Sequence, residues 1–208
     1  MHCAGSTRTV ACGAMPRAAT TPPRTELRYT SSRYFALRAE GILGNDRVEL
    51  LEGVIVAMSP ESARETAGVR CAGDSLTVAV GAQAVVRVRQ PLVAGAWSVP
   101  EPDVAVVAGL KSDHVDTPPT AALLVVEVSD TTLVQDRLTK ATIYAAAGVP
   151  EYWLVNVRDG RVEVFRRADR LVRHYGEQFV AGHGSRLELR TLPGVGVAVD
   201  DLLHQDEP

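Results

Sequence analysis

The stretch LLVVEVS at 123–129 constrains the fold more than any other part of the chain. A near-continuous apolar run of this length is the pattern of a strand covered on both faces, so it predicts a central place in a sheet. Thr131 or Thr132 offers a cap for a helix that runs to about Ala147 and is closed by Gly148 and Pro150. EYWLVNV at 151–157 reads as a second strand. Strand, helix and strand in this order form a βαβ unit whose crossover makes the two strands parallel. The fold class that follows is mixed α/β, with the crossover spanning 123–157 and meander strands before it.

The remaining elements fit around that unit. TSSRYFALRA at 30–39 has the start and stop signals of a short helix. VELLEGVIVAM at 48–58 predicts a hairpin turning at Glu52-Gly53, and residues 62–80 a helix weakened by Gly68 and Gly73. AVVRVRQPLV at 84–93 alternates apolar residues with Arg87 and Arg89, which predicts a half-exposed strand with a basic solvent face. EPDVAVVAG at 101–109 is a further strand with Asp103 at its mouth, and Asp159-Gly160 turns residues 151–157 into RVEVFRR at 161–167. Short strands are expected from Val172 onward.

Composition narrows the function classes. The 208 residues suffice for one sizeable core, so a single domain over 25–203 is expected, with 1–24 as a disordered tail and 204–208 as an acidic end. The formal net charge is -3, which argues against a body that grips nucleic acid by bulk charge. Of the 22 basic residues only Lys111 and Lys140 are lysines. In a chain that otherwise writes positive charge as arginine, these two positions stand out. Cys3, Cys12 and Cys71 form neither a zinc pattern nor a disulfide framework. With no signal-like leader and no apolar run near membrane length, a cytoplasmic protein with no membrane partner is expected.

Motifs for nucleotide binding, zinc proteolysis and serine hydrolysis are absent. What remains is acids in unusual places. Glu127 interrupts an apolar strand, where an ionised carboxylate needs a partner or a metal. If the strands bearing Asp103 and Glu127 are neighbours, the two carboxylates converge at a sheet end and suit Mg²⁺ or Mn²⁺. Asp136, Lys140 and Tyr144 share one face of the following helix. A carboxylate pair, a divalent metal and an ammonium suit phosphodiester hydrolysis.

The series VELLEGVIVAMSP (48–60), PEPDVAVV (100–107), VVEVSDTT (125–132), DRLTK (136–140) and YAAAGVPEYWLV (144–155) resembles the Uma2 family, formerly a domain of unknown function (DUF820), within the PD-(D/E)XK nuclease superfamily. The resemblance covers roughly residues 28–203. It implies a restriction-endonuclease-like core, a mixed sheet flanked by helices, and a metal-dependent endonuclease acting on DNA, with a homodimer as a plausible assembly. Asp103 then corresponds to the PD acid, Glu127 to the (D/E)XK acid, and Glu49 to the acid completing the metal shell. The Lys expected two residues after Glu127 is Ser129, and the resemblance implies that Lys140 supplies the ammonium instead. Relatives often begin the helix after the MSP turn with a His; here SARET (62–66) has none, with Glu65 nearby.

Plainer readings stand beside these. Asp136 and Lys140 also have the spacing of an ordinary helix ion pair. Glu127 could be bridged to an arginine, Asp103 could be a turn residue, and Glu52 competes with Glu49. Tyr144, Tyr152 and Trp153 read as core aromatics. Arg87, Arg89, Arg166 and Arg167 read as a solvated face, with Arg87 and Arg89 available to DNA phosphates. Two rival functions follow: a non-catalytic nuclease-fold binding module, and a metal-dependent hydrolase of another phosphate ester.

Overall fold

The structure, a computed structural model, describes residues 28–130 and 133–203. The expected tail at 1–24, the acidic end at 204–208 and the cap at Thr131 or Thr132 lie outside the described residues. In chain order, α1 (Ser31–Ala39) precedes the hairpin β1 (Val48–Leu51) and β2 (Val54–Ala57), then α2 (Ala63–Val80), β3 (Val85–Val88) and β4 (Val104–Val107). A single 3₁₀ turn (Lys111–His114) leads to β5 (Leu124–Ser129). The crossover comprises α3 (Leu133–Gln135), a π-helical turn (Asp136–Lys140) and α4 (Ala141–Ala147). The chain continues through β6 (Glu151–Asn156), β7 (Arg161–Asp169), β8 (His174–Gly182), β9 (Arg186–Glu188), β10 (Gly196–Ala198) and α5 (Val199–Leu202).

Strands β3 to β8 form one six-stranded sheet in sequential order, antiparallel throughout except for the parallel pair β5 and β6. The β1–β2 hairpin stands apart and is tied in by reciprocal backbone hydrogen bonds between Leu50 and Val99. Every residue of β5 is buried because both faces of the sheet are covered. Leu124, Val126 and Val128 meet Leu76 and Val69 of α2 on one side, while Val125 packs with Tyr144 and Ala145 of α4 on the other. Glu127 alternates onto the α4 side with Val125.

Gly68, a poor helix former, sits where α2 crosses β5. A Cβ there would stand 2.8 Å from Val128 Cγ1 and 3.1 Å from Val157 Cγ1, so only glycine allows this approach. The helix starts on Ser62, whose hydroxyl accepts from the Glu65 amide at 3.1 Å while the Glu65 carboxylate accepts from the Ser62 amide at 2.8 Å. That reciprocal pair satisfies two otherwise orphan donors.

Four expectations are corrected. The strand over 84–93 ends at Val88 because Arg89 has a φ of +50° and Pro91 follows. Its basic face is not solvated: Arg87 is buried beneath the 3₁₀ turn, and Arg89 turns back onto acidic neighbours. The helix over 132–147 is broken by the π turn, and Arg166 is no surface residue, since its Nε donates to the fully buried Glu151 at 2.6 Å. Among the described residues no helix is long and apolar enough to cross a membrane.

Candidate active site

Register brings the two central acids together. Val104 pairs with Val126 across β4 and β5, which sets Asp103 opposite Glu127 at the strand ends. The Val128 amide donates to Asp103 Oδ2 at 2.9 Å, holding the carboxylate beside its neighbour. On β1, Glu49 is buried and its Oε2 accepts from the Glu101 amide at 3.3 Å. Glu52, its competitor in the sequence, lies instead in the β1–β2 turn with a φ of +50° and pairs with Arg173.

Lys140 enters from the π turn. Its Nζ lies 3.1 Å from Glu127 Oε2, 3.9 Å from Glu49 Oε1 and 3.8 Å from Asp136 Oδ1. The Asp136–Lys140 pair is thus the ordinary helix spacing put to a wider use, since the same ammonium reaches acids on β1 and β5. A π turn widens the helix locally and is common at functional sites. Tyr144, one turn further on, donates its hydroxyl to Glu127 Oε1 at 2.5 Å and is fully buried against Tyr152. It is a core aromatic and a carboxylate partner at once. Ser129, where the motif would carry a lysine, is fully buried at the end of β5.

Glu49, Asp103, Glu127, Asp136 and Lys140 line a cleft of about 90 Å³ together with the Met58-Ser59-Pro60 turn and the acids Glu61, Glu65 and Glu101. The last three were not anticipated as part of the site. Glu61 pairs with Arg47 and Arg89, Glu101 with Arg38, and Glu65 Oε1 accepts from the Asp130 amide at 3.0 Å. Glu65 therefore ties the start of α2 to the end of β5, the strand that carries Glu127. Its signal was present as the Ser-x-x-Glu spacing at 62–65, a capping box. Nothing local marks Glu61 or Glu101, whose partners come from distant elements.

The electrostatics show an excess of acid. Burial pushes the Asp103 carboxyl up to about 6, against the pull of the Val128 amide, Lys140 and Arg89. Burial also drives Glu127 well above the usual carboxylate range, with Lys140 opposing and Asp103 and Asp136 reinforcing the rise. For Lys140 burial works against the charge, yet Glu127, Glu49, Asp136 and Asp103 together hold it protonated well above the ordinary lysine value. One ammonium serves four carboxylates. The unneutralised charge and the all-oxygen donor set fit a hard divalent cation, which Asp103, Glu127 and Glu49 would hold. As placed, with Lys140 against Glu127, no three ligating side chains among the described residues close around a common point.

A family profile described as "Putative restriction endonuclease", Uma2, matches residues 33–200. The chain belongs to the Uma2 family. Among solved structures, the crystal structure of a putative nuclease belonging to DUF820 from Anabaena variabilis ATCC 29413 is similar, with a TM-score of 0.61 at 16% identity, covering 74% of this chain and 88% of that one. That likeness is one of fold. No curated protein matches the sequence. Within this Uma2 chain the βαβ crossover carries Glu127, Lys140 and Tyr144, so the element that organises the sheet also carries most of the site.

Proposed function

We propose that this Uma2 protein is a Mg²⁺- or Mn²⁺-dependent endonuclease that hydrolyses DNA phosphodiester bonds. The observation that carries the reading is the convergence of Asp103 and Glu127 at adjacent strand ends, with the Lys140 ammonium 3.1 Å from Glu127. A bound divalent cation would make water a stronger nucleophile and offset charge on the phosphate. Asp103, Glu127 and Glu49 would hold that cation. Lys140, kept protonated by its acidic neighbours, donates to the attacking water or to a non-bridging phosphate oxygen and so favours the more highly charged transition state. Tyr144 holds Glu127 in one orientation through Oε1, which leaves Oε2 facing the cleft. Asp136 keeps Lys140 in place from within its own turn.

The test is nicking of supercoiled plasmid by purified protein with Mg²⁺, with Mn²⁺ and with chelator. Cleavage that needs the metal and disappears in Asp103→Ala and Lys140→Ala is the expected result. Absence of cleavage together with absence of Mn²⁺ binding by calorimetry would instead identify a binding module. Linear and single-stranded DNA, assayed alongside, report the substrate form.

A further inference from the structure

Arg87 lies on the edge strand β3 and is only 8% exposed. Its Nη1 donates to the His114 carbonyl oxygen at 3.2 Å, but its Nε is buried without a hydrogen-bond partner. No carboxylate among the described residues forms an ion pair with it, unlike Arg38, Arg89, Arg137 or Arg166. A buried charge without a counter-charge is costly, so an anion supplied from outside the chain is a favourable partner for it. Burial accordingly pulls the Arg87 guanidinium below the ordinary arginine value.

The space beside it is suited to a ligand. Arg87 lines an open pocket of about 740 Å³ with Gln90, Lys111 and His114, and with Phe35 and Val115 as apolar walls; Asp116 also lines it. Lys111 is exposed and is the second of the chain's two lysines, the first being Lys140 in the carboxylate cleft. Its 3₁₀ turn is fastened by Asp113, whose Oδ2 accepts from the Leu110 amide at 2.8 Å, and by His114 Nε2, 3.0 Å from the Ala108 carbonyl oxygen. A guanidinium with no carboxylate partner among the described residues, an ammonium and an amide are donors that match phosphate oxygens. Apolar walls strengthen such a contact by lowering the local dielectric.

Register places the pocket with respect to the cleft. Arg87 pairs with Ala105, and Ala105 with Val125, so Arg87 leaves the sheet on the face that carries Glu127. Ala105 is two residues along from Asp103, which puts the Arg87 and Asp103 Cα atoms about 8 Å apart by strand geometry. The pocket and the carboxylate cleft therefore lie one strand apart at the β3–β4 edge of the sheet, and a nucleic-acid backbone passing along that edge reaches both.

We propose that Arg87 and Lys111 form a phosphate-binding subsite that holds a backbone phosphate of the DNA strand whose scissile bond lies at Asp103 and Glu127. The strand assignment rests on the nuclease reading above; the phosphate chemistry does not. The outer guanidinium nitrogen of Arg87 donates to that phosphate, and Lys111 contacts it from the solvent side.

Two measurements on the full chain test this. In chelator, inorganic phosphate raises the melting temperature of the wild type and fails to do so for Arg87→Met. With Ca²⁺ replacing Mg²⁺, anisotropy of a labelled duplex over a salt series shows at least tenfold weaker binding for Arg87→Met, as expected when a charge-assisted hydrogen bond is lost. The slope of log affinity against log salt falls by about 1, which loss of a purely structural residue does not produce. Lys111→Gln, an exposed substitution that cannot unfold the core, lowers the slope in the same way and decides the matter if Arg87→Met does not fold. Unchanged affinity and slope in these variants overturn the proposal. A phosphate effect lost in Arg87→Met with DNA binding intact overturns the strand assignment in favour of free phosphate esters. Plasmid cleavage by a wild type that shows no phosphate effect, with DNA affinity unchanged in both variants, removes the subsite and leaves the nuclease; a phosphate effect without cleavage does the reverse.

Discussion

The Lys140 ammonium stands between Glu127 and Glu49, 3.1 Å from one and 3.9 Å from the other, joining the crossover to the outlying β1–β2 hairpin. Neither acid has an arginine partner among the described ion pairs, so the lysine alone balances a carboxylate on the central strand and one on the hairpin.

Replacing Lys140 has consequences for both activity and stability. Lys140→Ala lowers metal-dependent cleavage by about 100-fold or more, the scale of losing one transition-state donor. It also leaves buried carboxylates unpaired, with a cost of about 3 kcal/mol that does not by itself unfold a domain of ordinary stability. Urea unfolding gives the second quantity and plasmid nicking the first. Full activity in this variant removes Lys140 from the mechanism.

The Asp103 carboxyl makes the metal-free protein sensitive to pH. Its native value of about 6 lies above the unfolded value near 4, so between them the folded chain binds more protons than the unfolded one. Its contribution to stability is therefore full below pH of about 4 and is lost as pH rises through about 6. In chelator, wild type should lose stability relative to Asp103→Asn over that interval by on the order of 2 kcal/mol. Thermal unfolding at half-unit pH steps measures the difference, and parallel curves for the two proteins contradict it.

Tyr144→Phe removes one hydroxyl and nothing else. The lost bond to Glu127 Oε1 leaves a buried carboxylate oxygen unsatisfied, at about 1–3 kcal/mol. Loss of an outer partner of this kind typically costs about 10–100-fold in metal affinity or activity. Calorimetric titration with Mn²⁺ reads the first and cleavage rates the second; wild-type values in both would show that the hydroxyl only fills space.

Gly68→Ala tests the packing that places β5. The added methyl meets Val128 at 2.8 Å, so α2 must shift away from the strand next to Glu127. Overpacking of this sort costs about 1–3 kcal/mol, whereas helix propensity alone would predict a gain of about 1 kcal/mol. The sign of the change in melting temperature separates the two.

Local residue patterns carried much of the architecture. The run at 123–129, the Gly148 and Pro150 stop and the Asp159-Gly160 turn were enough for the β5, α4, β6 and β7 order, because each depends on periodicity and turn chemistry within a few residues. Glu127 and Lys140 were legible for a related reason: an acid in an apolar strand and a lysine in an arginine-rich chain break local rules that surface residues obey. Glu65 was legible in principle from its capping-box spacing.

Other features of the structure have no local signature. Arg87 alternates like a solvent-facing strand residue, and its burial comes from the Lys111–His114 turn laid over it. The choice of Glu49 over Glu52 turns on where a separate hairpin docks, through Leu50 and Val99. The π turn that lets Lys140 reach β1 and β5 is invisible to a period of 3.6. Patterns along the chain determined which elements form and which residues are out of place. Which carboxylates share one ammonium depended on register and packing between segments far apart in sequence, because buried charges are resolved only by the partners that tertiary contact supplies.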